Sequence, residues 1–172
     1  FTAVNTDSAA AAAAFQSGNV DVAVSYAPFL QQAADAVEDG RIIYDSSSMP
    51  TAIIDLYIFD TTFVEENPET VQAFVNATLR GLEFLETNRE EALAIAAEEL
   101  EVTPEELASD LEGVTLPDVE TNLKMLADPS DDLYLEQPME DLSKFLSAEG
   151  QIESEVSGFP ELFDPQFVQA YS

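Results

Sequence analysis

The pattern of apolar residues changes near residue 60, and this change limits the folds that are open to the chain. Before it, short runs rich in valine and isoleucine alternate with helical stretches, a pattern typical of α/β proteins. After it, apolar residues recur at three- and four-residue spacing, which predicts helices separated by short polar breaks. We therefore expect an α/β segment followed by a helical one. The 172 residues suit one compact domain or one half of a two-lobed protein.

Four short apolar runs predict β-strands, over residues 1–4, 20–25, 41–44 and 53–59. Their β-branched and aromatic side chains favour the extended state, and polar or glycine-containing stretches separate them. These runs are the basis for the predicted sheet.

Helix-start signals fall between and after these runs. Asp7 or Ser8 is placed to cap a first helix with its side-chain oxygen, and Pro28 opens a second helix. Asn-Pro-Glu at 67–69 begins a long amphipathic helix, and Thr-Pro-Glu-Glu at 103–106 predicts a capping box. Shorter helices are predicted near 118–126, 138–148 and 165–171.

The charge balance excludes several classes of function. The chain has 35 Asp and Glu residues against 5 Lys and Arg residues, a formal charge of −30, and no His or Cys. Such a charge repels nucleic acids and anionic membranes, and the missing His and Cys exclude the usual nucleophilic triads and zinc sites. We interpret the acids as a strongly solvated surface suited to high salt; an acidic patch for a basic partner is the alternative.

No metal or cofactor site is expected. Adjacent acidic residues do not share a helix face, so they are not expected to act as a catalytic pair. The acidic loop at 128–132 does not match the twelve-residue calcium loop. No apolar run approaches the length of a membrane span, so membrane insertion is not expected.

Several segments together resemble one family. They are 13–29, with a helix, Gly-Asn-Val-Asp-Val, a strand and Tyr-Ala-Pro; 63–71, with Phe before Asn-Pro-Glu; 88–92; 102–106; and the ending, 150–167. In this order they resemble the C-terminal half of ABC-transporter substrate-binding proteins of the sulfonate/taurine/nitrate and thiamine-precursor (NMT1-like) group. The family's turn usually reads Trp, an acid and Pro, so the Tyr-Ala-Pro turn of this chain is a departure.

The resemblance implies a partial periplasmic-binding-protein-like type II fold of the α/β class. Residues 1–52 would be part of the second α/β lobe, residues 53–60 a crossing strand, and residues 61–172 a helical segment that packs on the first lobe. An N-terminal lobe would then be missing from this chain, or another chain would complete it.

The function implied by the resemblance is solute binding for an ABC import system. The solute would be a small polar organic molecule or anion, of the sulfonate, taurine, nitrate or thiamine-precursor type, held in an interlobe cleft and delivered to an ABC permease. The location would be periplasmic or extracellular, with a lipoprotein signal on a missing N-terminal part as a possible anchor. No enzyme activity is expected. A branch of the same superfamily makes a thiamine pyrimidine, but that chemistry would be expected to need His and Cys, and this chain has neither. The alternative is a ligand-sensing or interaction module without a transport role.

Candidate binding residues lie where predicted strands end, since ligands gather at strand carboxyl ends. Tyr26 offers a face for stacking, and the serine and threonine hydroxyls offer hydrogen bonds. Asp21 and Pro28 are expected to have structural or hinge roles. The predicted ligand-binding residues are Thr6, Ser8, Ser25, Tyr26, Ser47 and Tyr57.

Overall fold

The structure is a computed structural model that describes residues 2–171. In chain order its α-helices are α1 Ser8–Gln16, α2 Phe29–Ala36, α3 Thr61–Glu66, α4 Pro68–Thr87, α5 Arg89–Leu100, α6 Pro104–Asp110, α7 Val119–Ala127, α8 Glu136–Ala148 and α9 Gln166–Gln169. Short 3₁₀ helices span Ser46–Ser48, Leu111–Gly113 and Phe159–Leu162. The chain divides into two compact units, one made of 1–45 with 102–114 and the other of 46–101 with 115–172.

Helices α1 and α2 pack on each other in the first unit. The Asp7 carboxylate accepts a hydrogen bond from the Ala10 N–H at 2.9 Å, which satisfies one of the unpaired donors at the start of α1. Ala12 and Ala33 are buried, and such small side chains allow close approach of the two helices. The prediction of both helices is confirmed.

Among residues 2–171 the predicted strands did not form; Phe1, the first residue of the predicted strand 1–4, lies outside the described residues. Within the described residues there is no β-strand, and the segments 22–26, 41–45 and 54–60 run without helix, turn or bend. A strand is stable only when its backbone N–H and C=O groups pair with a neighbouring strand, and these segments do not pair with one another. The α/β alternation expected before residue 60 is therefore not confirmed, although its helices are present.

The second unit is built around α4. This helix packs against α3, α5 and α9, and α9 also contacts α7. The Gln72 side-chain amide donates to the Phe167 carbonyl oxygen at 2.8 Å, which ties α4 to α9. Leu135 is only 1% exposed, and its N–H donates to the Met125 carbonyl oxygen at 3.0 Å. The apolar core of this unit also contains Val71, Leu79, Ala92, Leu93, Ala97, Phe159 and Val168.

Most helix boundaries agree with the predictions. α4 begins at Pro68, and α6 carries the predicted capping box, in which the hydroxyl of Thr103 and the carboxylate of Glu106 each bind the other residue's N–H. The short helix α3 was not predicted. It begins where the Asp60 carboxylate accepts from the Phe63 N–H at 3.2 Å.

Candidate functional site

Two of the predicted site residues are in direct contact. Ser8 is the first residue of α1, and Ser25 lies seventeen positions later, within the segment that joins α1 to α2, yet their hydroxyl oxygens are 2.7 Å apart. The Ser25 hydroxyl also lies 3.1 Å from the Ser8 carbonyl oxygen, with geometry to donate to it. The start of α1 is thereby fixed to the segment that precedes α2.

Tyr26 joins the same group through its backbone. Its N–H donates to Ser8 Oγ at 3.4 Å, while the residue as a whole is 68% exposed. The Tyr26 carbonyl oxygen accepts from the N–H of Leu30 in α2. The backbone of Tyr26 is therefore held between two helices and the aromatic ring remains open to a ligand. We refer to Ser8, Ser25 and Tyr26 as the hydroxyl-tyrosine cluster.

The hydrogen bonds of this cluster determine what it can offer to a solute. When the Ser25 hydroxyl donates to the Ser8 carbonyl, the Ser8 hydroxyl is the donor to Ser25 Oγ. Both hydroxyl protons are then used, and each oxygen keeps acceptor capacity, since a hydroxyl accepts twice. In this arrangement the two serines present acceptors, which suit a solute with N–H groups.

The other predicted residues of this unit lie near the cluster in the sequence. Thr6 is exposed and lies two positions before α1, next to the capping residue Asp7. Pro28 is at the N-cap position of α2, and the peptide bond that joins it to Ala27 is cis. Asp21 is exposed at a bend in the chain. Their binding and hinge roles stay predictions.

Ser47 and Tyr57 belong to the second unit. Ser47 lies in the 3₁₀ helix Ser46–Ser48 and is exposed. The ring of Tyr57 packs edge-on against Phe74 of α4, with ring centroids 4.9 Å apart, and it remains 72% exposed. Tyr57 thus has a packing partner in addition to its predicted role in binding. The ligand-binding roles of both residues stay predictions.

A groove in the first unit was not anticipated from the sequence. It has a volume of about 400 Å³ and is lined by parts of α1 and α2 and by the segments around 21–25 and 39–44. Ser25 of the cluster is in its wall, together with Arg41 and the apolar side chains of Phe15 and Leu30. No local sequence pattern predicts this groove.

A sequence model of one family, described as NMT1/THI5-like, matches residues 1–92, more than half of the chain. The chain belongs to the NMT1/THI5-like family. This confirms the resemblance drawn from segments such as 13–29 and 63–71, both of which lie inside the matched region. No curated protein and no solved structure gives a match to the chain.

Membership in the NMT1/THI5-like family has consequences for fold and function. The family has a periplasmic-binding-protein-like fold, and its proteins are generally substrate-binding proteins. A solute-binding role in this general sense therefore applies to the chain. The family is typically extracytoplasmic.

Across residues 2–171, no group of three or more Asp and Glu side chains is arranged to hold a metal ion. In the same residues, none of the helices has the length and apolar character required to cross a membrane.

Proposed function

We propose that the protein captures a small polar organic solute as the binding component of an ABC import system. The first unit contributes the hydroxyl-tyrosine cluster of Ser8, Ser25 and Tyr26. The observation that carries this proposal is a pair of hydroxyl oxygens, 2.7 Å apart, hydrogen-bonded to the backbone of the exposed Tyr26, in a chain from a family of substrate-binding proteins.

In this mechanism the solute is held without covalent chemistry. The Tyr26 ring stacks on a flat part of the solute, and the serine oxygens accept hydrogen bonds from its N–H groups. Thr6 contributes a further contact once lobes close around the solute, and the closed form docks on a permease outside the cytoplasm. The enclosing lobe comes from polypeptide beyond these residues.

The electrostatics favour a neutral or cationic solute over a simple anion. Asp7, whose side chain is a carboxylate, directly precedes Ser8 of the cluster, and the chain as a whole carries a formal net charge of −30. An anion at this position meets acceptor oxygens and a negative field. Among the solute types implied by the family, a thiamine-precursor pyrimidine with an amino group, or the ammonium end of taurine, fits better than nitrate.

Calorimetric titration of the natural full-length protein tests the proposal. The probes are an aminopyrimidine thiamine precursor, taurine, methanesulfonate and nitrate. The expected result is binding of one of the two nitrogen-donor solutes at a one-to-one ratio, with weaker or undetectable binding of the two anions. Preferential binding of nitrate or methanesulfonate would overturn the role given to the serine acceptors.

A further inference from the structure

The hydroxyl-tyrosine cluster adjoins the groove of the first unit, because Ser25 belongs to both. The groove has a volume of about 400 Å³, which is within the range of small-molecule pockets. A solute bound at the cluster therefore has room to extend into the groove. The side chains that line the groove then help to determine which solute is held.

Arg41 is the one basic residue among those that line the groove. Within residues 2–171 its guanidinium forms neither an ion pair nor a side-chain hydrogen bond, although two carboxylates, those of Asp21 and Asp39, line the same groove. A guanidinium stays charged at every physiological pH, and its five N–H donors form a fork that matches a carboxylate. These donors are available to a bound solute.

The backbone just before Arg41 is held tightly against the end of α2. The Gly40 N–H donates to the Val37 carbonyl oxygen at 2.8 Å, and a Cβ at Gly40 would collide with the Ala34 carbonyl oxygen. Asp39 has a φ of 63°, in the left-handed region that residues other than glycine rarely occupy. Backbone strain of this kind is concentrated at ligand-binding and active sites. The turn therefore fixes the point at which the chain brings Arg41 to the groove.

The groove also has an apolar wall. Phe15 of α1 and Leu30 and Ala33 of α2 are among its lining residues. Burial of an apolar surface against these side chains is favourable, and the gain grows with the area that is removed from water. A solute with an apolar body gains from this wall, whereas nitrate has no such body.

Charges of both signs are present at the groove. The carboxylates of Asp21 and Asp39 attract an ammonium group and oppose an anion that lacks one, while Arg41 attracts an anionic group. The serine oxygens of the cluster accept from N–H groups. This combination is complementary to a solute that carries an ammonium group at one end and an anionic group at the other.

We propose that Arg41 determines the specificity of this site by binding the carboxylate of a zwitterionic solute. The ammonium group of the same solute donates to the Ser8 and Ser25 oxygens, and its apolar body lies in the groove. The solute class is thus an amino carboxylate whose charged ends are separated by an apolar body. This inference rests on the proposed solute-binding role of the cluster and narrows it to one chemical class.

Three probes that share one benzene ring test the inference: para-aminomethylbenzoate, benzylamine without the carboxylate, and benzoate without the ammonium group. Each is titrated calorimetrically into the natural full-length protein. Para-aminomethylbenzoate is expected to bind roughly three- to tenfold more tightly than benzylamine, because the guanidinium adds charge-assisted hydrogen bonds at an exposed position, and benzoate is expected to bind most weakly. Equal affinity for para-aminomethylbenzoate and benzylamine, or no binding of either, would overturn the inference.

Variants of Arg41 show whether it is the group that recognises the carboxylate. Arg41→Gln removes the charge, so the affinity for para-aminomethylbenzoate is expected to fall to that for benzylamine, which itself stays within about twofold of its parent value. Arg41→Lys keeps the charge without the planar fork and is expected to retain part of the preference. Arg89→Gln, at an exposed arginine of the second unit, is the control and is expected to change neither affinity. Circular dichroism establishes that the variants keep their helices.

The inference and the proposed function fail in different ways. If Arg41→Gln leaves the affinity for para-aminomethylbenzoate unchanged, or weakens para-aminomethylbenzoate and benzylamine equally, Arg41 does not recognise the carboxylate and the role of the cluster is untouched. If the affinity falls in Arg41→Gln and not in Ser8→Ala, the role given to the cluster is wrong instead.

Discussion

The hydroxyl of Ser8, at the first position of α1, lies 2.7 Å from the hydroxyl of Ser25, seventeen residues later. This bond joins the start of one helix to the segment that leads to the next, and the backbone N–H of the exposed Tyr26 donates to the Ser8 hydroxyl beside it. The same contact is therefore structural for the first unit and defines the proposed solute site.

The two serines are expected to be energetically coupled. Ser8→Ala and Ser25→Ala each break the hydroxyl pair, so the double variant loses less stability than the sum of the single ones. The coupling free energy is expected to be about 1 kcal/mol, the usual net value of a hydrogen bond. Urea unfolding of the four proteins gives this value, with Ser154→Ala as the control at an exposed serine outside the unit. Strict additivity would show that the contact contributes nothing.

The core of the second unit is expected to depend strongly on Leu135. Its side chain is 1% exposed, and truncation leaves a cavity, so Leu135→Ala is expected to reduce the free energy of unfolding by about 2–5 kcal/mol. Leu162→Ala is a matched control, because Leu162 is 73% exposed and its loss is expected to cost less than about 0.5 kcal/mol. Equal effects in chemical denaturation would contradict the burial described for Leu135.

The capping box of α6 predicts a pH dependence. Hydrogen bonds from the backbone N–H and the hydroxyl of Thr103 lower the pKa of Glu106 below its ordinary value of 4.5. Because the pKa is lower in the folded state, the ionised carboxylate stabilises α6 above pH 4.5. This contribution is lost as the pH falls through the folded pKa.

An NMR titration of the Glu106 carboxyl carbon measures this shift. In Thr103→Ala the hydroxyl is absent, so the pKa is expected to move upward toward 4.5. Glu105, the exposed neighbour, provides the internal control in the same spectra. A Glu106 pKa that is the same in the parent and the variant would show that the Thr103 hydroxyl does not stabilise the carboxylate.

The acidic surface predicts stabilisation by salt. With 35 acidic and 5 basic residues, like charges repel one another in the folded chain, and salt screens this repulsion. The Tm is expected to rise when KCl increases from roughly 0.1 M to 1 M, as the screening length shortens. Sucrose serves as the control because it favours compact states without screening charge. A Tm that rises with sucrose and not with KCl would mean that charge repulsion is unimportant here.

Local sequence signals were sufficient to predict most helices. The cap of α1, predicted at Asp7 or Ser8, is Asp7, and the Pro68 start and the Thr103–Glu106 capping box were found as predicted; each of these signals depends on residues at most three positions apart. α3 was missed because its six residues are too few to show a periodic pattern.

Strands could not be predicted with the same success. The runs at 20–25 and 41–44 have the side chains of strands, but a strand also requires a neighbour to pair with, and no described residue supplies one. In the candidate site, Ser25 and Tyr26 were predicted as binding residues because they lie at the end of such a run. The contact between Ser8 and Ser25, and the groove beside Arg41, depend on how α1 and α2 pack and were beyond local pattern analysis.

The most direct test of the proposed site is the affinity of the natural full-length protein and its Tyr26 variants for the solute panel, measured by calorimetry. We expect an aminopyrimidine or taurine to bind the parent, Tyr26→Phe to bind within about twofold, and Tyr26→Ala to bind roughly three- to tenfold more weakly because a stacking face is lost. Phe145→Ala, at a 60% exposed aromatic residue of the second unit, is expected to leave the affinity unchanged. Equal affinity of the parent and Tyr26→Ala, or no binding of any solute in the panel, would contradict the assignment of Ser8, Ser25 and Tyr26 as a solute-binding site.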